Sequence, residues 1–330
     1  MSLLSFLDYI REPPSAESPP CSNSQVQLRV ALNAAIERFT THHVPSPRMN
    51  AELLIMFTLD CDRAYLYAHP ERELTSDETS RYDAALARRA TGVPAQYITG
   101  HQEFWGMDLI VSPAVLIPRP ETEHLVEAVL ELVKGYKQEQ RQQQGQLPRT
   151  GAPALHEPRM LRIVDVGTGS GAIALALAQE LPMAEIHASD ISEQALEVAR
   201  ANAARHELTS RIAFHRADLL SGLPFAKFDV VVSNPPYVGE SEEDQVQLEV
   251  RKFEPRSAVF AGPTGLEVIE RLIPQAQQVL RPSGWLVFEI SGTIADGVRR
   301  LLDEWTDVAI KNDLQGISRV AIARKALLDR

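Results

Sequence analysis

Strands and helices alternate through the second half of the chain, and this alternation is what most limits the possible fold. Apolar runs rich in β-branched residues, typical of buried strands, are separated by stretches of helical length. The predicted strands are Arg162 to Val166, Glu185 to Ser189, Ile212 to Arg216, Phe228 to Ser233, Trp285 to Ile290, Val308 to Lys311 and Val320 to Arg324. The predicted helices between them are Ala172 to Glu180, Ser192 to Arg205, Gly265 to Leu280 and Ile294 to Glu304. This order predicts an α/β fold with a doubly wound, mostly parallel, Rossmann-like sheet.

The N-terminal third has a different, helical pattern. Apolar residues recur near a 3.6-residue period in Gln25 to Phe39 and in Met49 to Leu59. Thr75 is predicted to cap a helix from Ser76 to Arg89, with Glu78 completing a capping box. Aromatic and β-branched residues around Gly106 then predict a hairpin. We therefore predict a small helical domain at 1–95, a linking hairpin at 96–115 and the sheet domain at 116–330.

Two stretches have biased compositions. Residues 12–24 are rich in Pro and Ser, which predicts a mobile loop. Residues 135–158, after a helix predicted from His124 to Val133, are rich in Gln and Arg and lose the apolar period. The second stretch is predicted to be a flexible, solvated insertion or a frayed helix end within the sheet domain.

The composition and charge of the chain restrict its expected cellular compartment and the kind of partner it binds. The chain has 330 residues with a net charge of −11 and no apolar run long enough to span a bilayer. No secretory signal is evident, and two cysteines cannot form a disulfide framework, so the cytoplasm is the expected compartment. Because nucleic-acid binders usually carry basic patches, the acidic charge favours a small-molecule or protein substrate and predicts no direct contact with nucleic acid or membrane.

A glycine-rich loop, Asp165-Val166-Gly167-Thr168-Gly169-Ser170-Gly171, follows the first strand of the predicted sheet and opens a helix. Glycines allow positive φ and a close approach of the backbone to a ligand. In open α/β sheets, ligands bind at the carboxyl edge of the strands. The loop therefore predicts a nucleotide-like ligand. With Ala172 it also satisfies a dinucleotide-binding pattern, and a tight turn without a ligand is the alternative.

Two aspartates follow the next two strands. Asp190 is placed to accept hydrogen bonds from ribose hydroxyls, which would serve NAD and S-adenosylmethionine equally well. Its alternative role is that of an acid at a helix N-terminus. Asp218 is placed to accept from an adenine amino group while Leu219 packs on the ring, although an aspartate that simply forms a turn is nearly as plausible.

The most specific motif is Asn234-Pro235-Pro236-Tyr237, directly after the fourth predicted strand. Two prolines fix φ and remove two backbone donors. The side-chain oxygen of Asn234 and the carbonyl of Pro235 can each accept one proton of an NH2 group, and Tyr237 offers a ring face for packing or for a sulfonium cation. The alternative is a proline turn that only ends the strand.

The Asn234 side-chain oxygen and the Pro235 carbonyl together form a clamp for an NH2 group, and this clamp suits methyl transfer to nitrogen. An amide nitrogen is a poor nucleophile because its lone pair is delocalised into the carbonyl. Two acceptors on its protons orient the nitrogen and stabilise the positive charge that builds as a methyl group arrives. The sulfonium of the donor is already activated, so no metal and no covalent intermediate is expected.

At these residues the chain resembles the class I methyltransferases, and more narrowly the HemK family of release factor N5-glutamine methyltransferases. The segments that carry the resemblance are LIPRPETE (116–123), DVGTGSG (165–171), SNPPYV (233–238) and NDLQGISRV (312–320). Phe253-Glu254-Pro255 and Gly265-Leu266 also fit the family. The resemblance covers almost the whole chain, except the Pro- and Ser-rich loop and the Gln-rich insertion.

The resemblance implies S-adenosyl-L-methionine as the cofactor and the Gly-Gly-Gln loop of peptide chain release factors as the substrate. It implies that the helical domain grips another part of that partner. Family members often carry an aromatic residue where this chain has Leu219. Arg119 and Glu121 lie in a family signature, where they either serve the reaction or pin the domain junction. The implied cofactor contacts are Gly167, Thr168, Gly169, Ser170, Gly171, Asp190, Asp218, Leu219 and Asn234, and the implied catalytic set is Asn234, Pro235, Pro236 and Tyr237.

The sequence is also compatible with three other functions. Glutamine methylation of a ribosomal protein needs the same site. A DNA adenine N6-methyltransferase would use the same clamp, but it must also bind DNA and flip the base. A non-catalytic or NAD-binding Rossmann protein would need no proline clamp.

Overall fold

The computed structural model describes residues 26–145, 160–223 and 227–327, without the side chains of 136–145. The loop predicted at 12–24 and residues 146–158 of the predicted insertion lie outside these residues. The chain divides into two units, one containing residues 26–101 and 247–253 and the other containing residues 102–246 and 254–327. The domain boundaries proposed from the sequence at residues 95 and 115 stay predictions.

The elements are numbered here in chain order. The helices are α1 (Leu28–Thr41), α2 (Pro47–Leu59), α3 (Arg63–Ala68), α4 (Ser76–Ala90), α5 (Ala95–Thr99), α6 (Glu123–Gly145), α7 (Ala172–Glu180), α8 (Glu193–Arg205), α9 (Leu248–Phe253), α10 (Arg256–Val259), α11 (Glu267–Val279) and α12 (Ala295–Leu301). The strands are β1 (His101–Phe104), β2 (Met107–Ile110), β3 (Arg162–Val166), β4 (Glu185–Asp190), β5 (Ile212–Arg216), β6 (Phe228–Ser233), β7 (Val238–Gly239), β8 (Phe260–Gly262), β9 (Leu280–Glu289), β10 (Thr306–Asn312) and β11 (Ser318–Arg324).

The first unit is helical, as the sequence predicts. Its core is built from the apolar faces of α1, α2 and α4, with Phe39, Leu54 and Tyr82 almost completely buried. The capping box predicted at the start of α4 is confirmed: the Glu78 N–H donates to Thr75 Oγ1 at 3.2 Å, and the Thr75 N–H donates to Glu78 Oε2 at 2.9 Å. These bonds satisfy donors that a helix N-terminus otherwise leaves without partners.

The second unit is built on a seven-stranded sheet with the order β10-β11-β9-β6-β3-β4-β5. The five strands β9, β6, β3, β4 and β5 are parallel to one another, while β11 pairs with β9, and β10 with β11, in antiparallel fashion. This order confirms the predicted doubly wound, mostly parallel sheet. Two short strands, β7 and β8, pair with each other outside it.

The central strands of the sheet are buried on both faces. On β6, Val230 and Val232 join the hydrophobic cluster that contains α6 and α7, while Val231 joins the cluster that contains α11 and α12. Successive side chains of a strand point to opposite faces, so an unbroken apolar run is what a strand covered on both sides requires.

Helix α6 is longer than the sequence analysis predicted. It continues past the predicted end at Val133 to Gly145 and so includes the first part of the Gln-rich stretch. That stretch contains Lys, Glu, Gln and Arg, which favour helix, and no proline interrupts it before Gly145. The prediction ended the helix too early because it followed apolar periodicity, which the solvated part of a helix does not need.

The predicted hairpin is formed by β1 and β2. Its turn residues, Trp105 and Gly106, both have positive φ, 53° and 69°, as a two-residue turn of type I′ requires. The buried Asn202 of α8 accepts from the Ile110 N–H at 2.7 Å and donates to the carbonyls of Ile110 and Ser170, each at 2.9 Å. One side chain thereby joins the hairpin to the glycine-rich loop.

No helix in the described part of the chain is both long enough and apolar enough to cross a membrane. Cys61 is a free thiol, and Cys21 lies outside the described residues. The cytoplasmic location expected from the sequence stays a prediction.

The capping box gives a test of the first unit. We expect Thr75→Ala to lower the free energy of unfolding by about 1 kcal/mol, because the Glu78 N–H loses its acceptor. Thr75→Ser keeps the hydroxyl and should lower the free energy of unfolding much less. Urea unfolding followed by circular dichroism measures both, and equal losses in the two variants would show that the cap is not the cause.

Candidate active site

The predicted site segments meet at one edge of the large sheet. Val166 is paired with Ser189 on one side and with Ser233 on the other, and Asp190 is paired with Arg216. The strands are parallel, so the segments that follow these residues leave the sheet at the same edge. The glycine-rich loop, Asp190, Asp218 and the Asn-Pro-Pro-Tyr segment are therefore neighbours.

The glycine-rich loop needs its glycines for two different reasons. Gly167, Gly169 and Gly171 all have positive φ, at 71°, 55° and 86°. A Cβ on Gly171 would lie 2.5 Å from Leu175 Cδ1 and 3.2 Å from Ala199 Cβ, so this glycine lets α7 and α8 pack closely. A Cβ on Gly167 or Gly169 would meet nothing within 4 Å. The first part of the loop thus leaves open space beside its backbone.

Asp165 is a completely buried carboxyl group at the base of the loop. Its Oδ2 accepts from Thr168 Oγ1 at 2.6 Å and from the Ala174 N–H at 3.2 Å. Its Oδ1 has no hydrogen-bond partner among the described residues. Burial raises the pKa of Asp165 to about 7 against the opposing effect of its two donors, so this acid titrates near neutral pH.

Asp190 holds the loop to the start of the next helix. Its Oδ2 accepts from the Gly169 N–H and its Oδ1 from the Ser192 N–H, both at 2.9 Å. Burial raises the pKa of Asp190, and the backbone donors oppose this shift. Each carboxylate oxygen can accept a second hydrogen bond. Asp190 therefore braces the backbone, as the helix-terminus interpretation expects, and keeps acceptor capacity for a ligand.

The Asp218–Leu219 corner lies beside Asp190. Asp218 forms an exposed ion pair with Arg271, 2.5 Å between Oδ2 and the guanidinium, and such exposed pairs contribute little to stability. Leu219 has a φ of 56°, an unfavourable conformation for a leucine, and its carbonyl accepts from Ser189 Oγ at 3.1 Å. Its side chain packs against the hydrophobic cluster of α11 and α12.

The Asn-Pro-Pro-Tyr segment is fixed from both sides. Before it, Ser233 Oγ donates to the Val166 carbonyl at 2.8 Å, which ties the end of β6 to the end of β3. After it, Gly265 lies so close that a Cβ there would be 2.6 Å from the Tyr237 carbonyl oxygen. Pro235 is buried, while Asn234 and Tyr237 are half-buried and partly accessible.

Two residues that the sequence analysis did not single out support this segment. Asn234 Nδ2 donates to Thr122 Oγ1 at 3.1 Å, and Thr122 Oγ1 donates to Glu289 Oε2 at 2.7 Å. The Tyr237 hydroxyl donates to Glu289 Oε1 at 3.0 Å. A sequence signal existed for Glu289, because it is the one charged residue in the strand predicted from Trp285 to Ile290.

Thr122 lies in the LIPRPETE segment, whose sequence pointed only to Arg119 and Glu121. Arg119 forms an ion pair with the buried Glu254, which also accepts from the Ile117 N–H at 3.1 Å. Of this segment, then, Thr122 is the side chain bonded to the Asn-Pro-Pro-Tyr corner.

Comparisons with known proteins bear on both parts of the chain. The family model described as the PrmC N-terminal domain matches residues 30–100, and the model described as the methyltransferase small domain matches residues 152–252. The release factor glutamine methyltransferase of Koribacter versatilis is 51% identical over 301 residues, 90% of this chain and 98% of the relative. The protein of the same name from Nitratidesulfovibrio vulgaris is 37% identical over 314 residues, 94% of this chain and 99% of the relative.

Solved structures share the fold. The catalytic domain of hMettl16, solved in complex with MAT2A 3'UTR hairpin 6, superposes with a TM-score of 0.51 and 15% identity, covering 81% of this chain and 93% of that one. At this identity the likeness concerns the fold alone.

The two kinds of glycine in the loop give a matched test. We expect Gly171→Ala to lower the free energy of unfolding by at least about 2 kcal/mol, because the new Cβ meets α7 and α8 and the backbone is strained. Gly169→Ala adds backbone strain without a steric clash and should lower the free energy of unfolding by about 1 kcal/mol. Urea unfolding of the two variants compares them directly, and equal costs would rule out close helix packing as the role of Gly171.

Proposed function

This chain belongs to the release factor glutamine methyltransferase family, and from that premise we propose that it methylates the glutamine of the Gly-Gly-Gln motif in peptide chain release factors. The methyl group is transferred from S-adenosyl-L-methionine to the side-chain amide nitrogen, N5. The observation that carries the proposal is the half-buried Asn234 amide, held beside the glycine-rich loop with its Nδ2 directed at Thr122.

The residues around the loop fit S-adenosyl-L-methionine. The open space at Gly167 and Gly169 lets a ligand approach the backbone, and Asp190 keeps acceptor capacity suited to ribose hydroxyls. The unpartnered Oδ1 of Asp165 suits a ligand that brings a hydrogen-bond donor, directly or through water. When bound, the cofactor supplies a methyl group on an activated sulfonium. The residues proposed to hold it are Gly167, Thr168, Gly169, Ser170, Gly171, Asp190, Asp218, Leu219 and Asn234.

The Asn-Pro-Pro-Tyr segment is proposed to bind the substrate amide. Since Asn234 Nδ2 donates to Thr122, its Oδ1 is the atom left to accept from the substrate NH2 group. The Pro235 carbonyl accepts the second proton, and prolines at 235 and 236 leave no backbone N–H there to compete. Two acceptors keep the nitrogen oriented and favour the charge that develops on it during transfer. Tyr237 packs beside them, with its hydroxyl anchored on Glu289.

The direct experiment uses methyl-labelled S-adenosyl-L-methionine and three substrates. They are a release factor, the same factor with the glutamine of its Gly-Gly-Gln motif changed, and duplex DNA. We expect label on the intact factor alone. Label on DNA would move the chain to the adenine methyltransferases, and label on the changed factor would place the target at another residue. A ribosomal protein added as a fourth substrate tests glutamine methylation there.

Asn234 gives a test of the clamp. We expect Asn234→Ala to lower kcat on the order of 100-fold, because one acceptor aimed at the developing charge is lost. Cofactor affinity should change little, because the other residues proposed to hold the cofactor remain. Single-turnover labelling and calorimetric titration of the cofactor measure the two effects. Asn312→Ala, which removes an exposed asparagine on β10, serves as the matched control. Near-normal turnover of the Asn234 variant would remove this residue from the mechanism.

A further inference from the structure

Glu289 is a buried acid placed next to the proposed substrate clamp. It ends β9, and Phe288 is paired with Ser233 on the adjacent parallel strand, so Glu289 and Asn234 follow paired residues at the same edge. Only 2% of Glu289 is exposed. Burying a carboxylate is costly unless hydrogen bonds compensate it. Such a residue at this position calls for an explanation beyond packing.

Both carboxylate oxygens of Glu289 accept a hydroxyl proton. Oε2 accepts from Thr122 Oγ1 at 2.7 Å, and Oε1 accepts from the Tyr237 hydroxyl at 3.0 Å. Burial raises the pKa of Glu289, Arg319 opposes that shift and the nearby Glu121 adds to it. Burial and the carboxylate likewise raise the pKa of Tyr237, which keeps its phenol protonated as a donor.

This arrangement fixes which way the Asn234 amide faces. A threonine hydroxyl has one proton, and an ionised carboxylate can only accept, so the Thr122 proton is committed to Glu289. The Thr122 oxygen then accepts from Asn234 Nδ2 at 3.1 Å. If the amide were reversed, Thr122 would have to donate to Asn234 Oδ1, and Glu289 Oε2 would lose its donor. The hydrogen-bond network therefore decides the amide orientation.

We propose that Glu289 is a positioning residue for methyl transfer, acting through Thr122 to keep Asn234 Oδ1 facing the substrate and acting directly on the Tyr237 hydroxyl. This inference rests on the proposed function. Three segments distant in sequence take part: the LIPRPETE segment, the Asn-Pro-Pro-Tyr segment and the end of β9. The carboxylate touches neither reacting atom, and its effect is on the orientation of the groups that do.

The first test removes the link between Glu289 and Asn234. Thr122→Val keeps the shape of the side chain and removes the hydroxyl, so the amide is no longer held in one orientation. We expect kcat for release factor methylation to fall about 10-fold or more, with cofactor affinity unchanged. Thr122→Ser restores the hydroxyl and should recover most of the rate. Thr306→Val, which removes an exposed threonine hydroxyl on β10, is the matched control and should be neutral.

The second test is the pH profile, which needs no change at Thr122. Protonated Glu289 can no longer accept from both hydroxyls, so kcat of the wild type should fall as pH drops through the raised pKa of this acid. The groups that face it are Tyr237, Arg319 and Glu121, and Arg119 faces Tyr237 in turn. Glu289→Gln has no carboxyl to titrate, and its NH2 group faces either Thr122 or Tyr237, so one of the two hydroxyls loses its acceptor. We expect a lower kcat in this variant and an acid limb reduced to the part that Asp165, with a pKa of about 7, contributes in both proteins.

The outcomes separate this inference from the proposed function. If the wild type labels the release factor and Thr122→Val retains full kcat, the positioning role is overturned while the function stands. An equal loss in Thr122→Ser, or an acid limb in Glu289→Gln that equals the wild type in midpoint and depth, overturns it as well. If the wild type binds the cofactor and leaves the factor unlabelled, the proposed function fails, and the inference fails with it.

Discussion

The register of β6 between β3 and β9 is the constraint on which the site depends. Ser233 is paired with Val166 on one side and Phe288 on the other, so the next residues along the three strands are Asn234, Gly167 and Glu289. Successive side chains of β6 point to opposite faces and valines fill both, so a slip of one residue would change the apolar packing little. The slip would instead break polar contacts at both ends of the strand, where Asp229 accepts from the Arg162 N–H and Ser233 Oγ donates to the Val166 carbonyl. These contacts fix the register and thereby bring the polar residues after the strands together.

The regular elements could be predicted because their causes are local. An apolar run identifies a strand covered on both faces, and Ala172–Glu180 was predicted with the bounds that α7 has. Ser192 caps α8 as expected, since a cap depends only on a residue and the turn after it. The short helix α3 was missed, although Asp62 caps it through the Tyr65 N–H. At six residues it is too short to show an apolar period.

The site itself was predictable only in part. Asn234 and the glycine-rich loop belong to contiguous motifs, and their chemistry can be inferred from residue type and position. Glu289 lies in no motif, and Thr122, although it lies in the LIPRPETE segment, has a contact with Glu289 that no local pattern indicates, because the two positions are 167 residues apart. Asp165 is a similar case: its pKa of about 7 is caused by complete burial, with the nearby Asp190 adding to the shift, and both depend on the packing around the strand.

Asn202 has a consequence for how the protein behaves at high concentration. A two-stranded hairpin has free edges, and exposed N–H and C=O groups on an edge can pair with a strand of another molecule. Both backbone groups of Ile110 on β2 are already occupied by the Asn202 amide, which offers a donor and an acceptor just as a neighbouring strand would. At Ile110 a helix side chain thus takes the place of a pairing strand, so the residue that steadies the glycine-rich loop also leaves this position of the edge without free groups for intermolecular pairing.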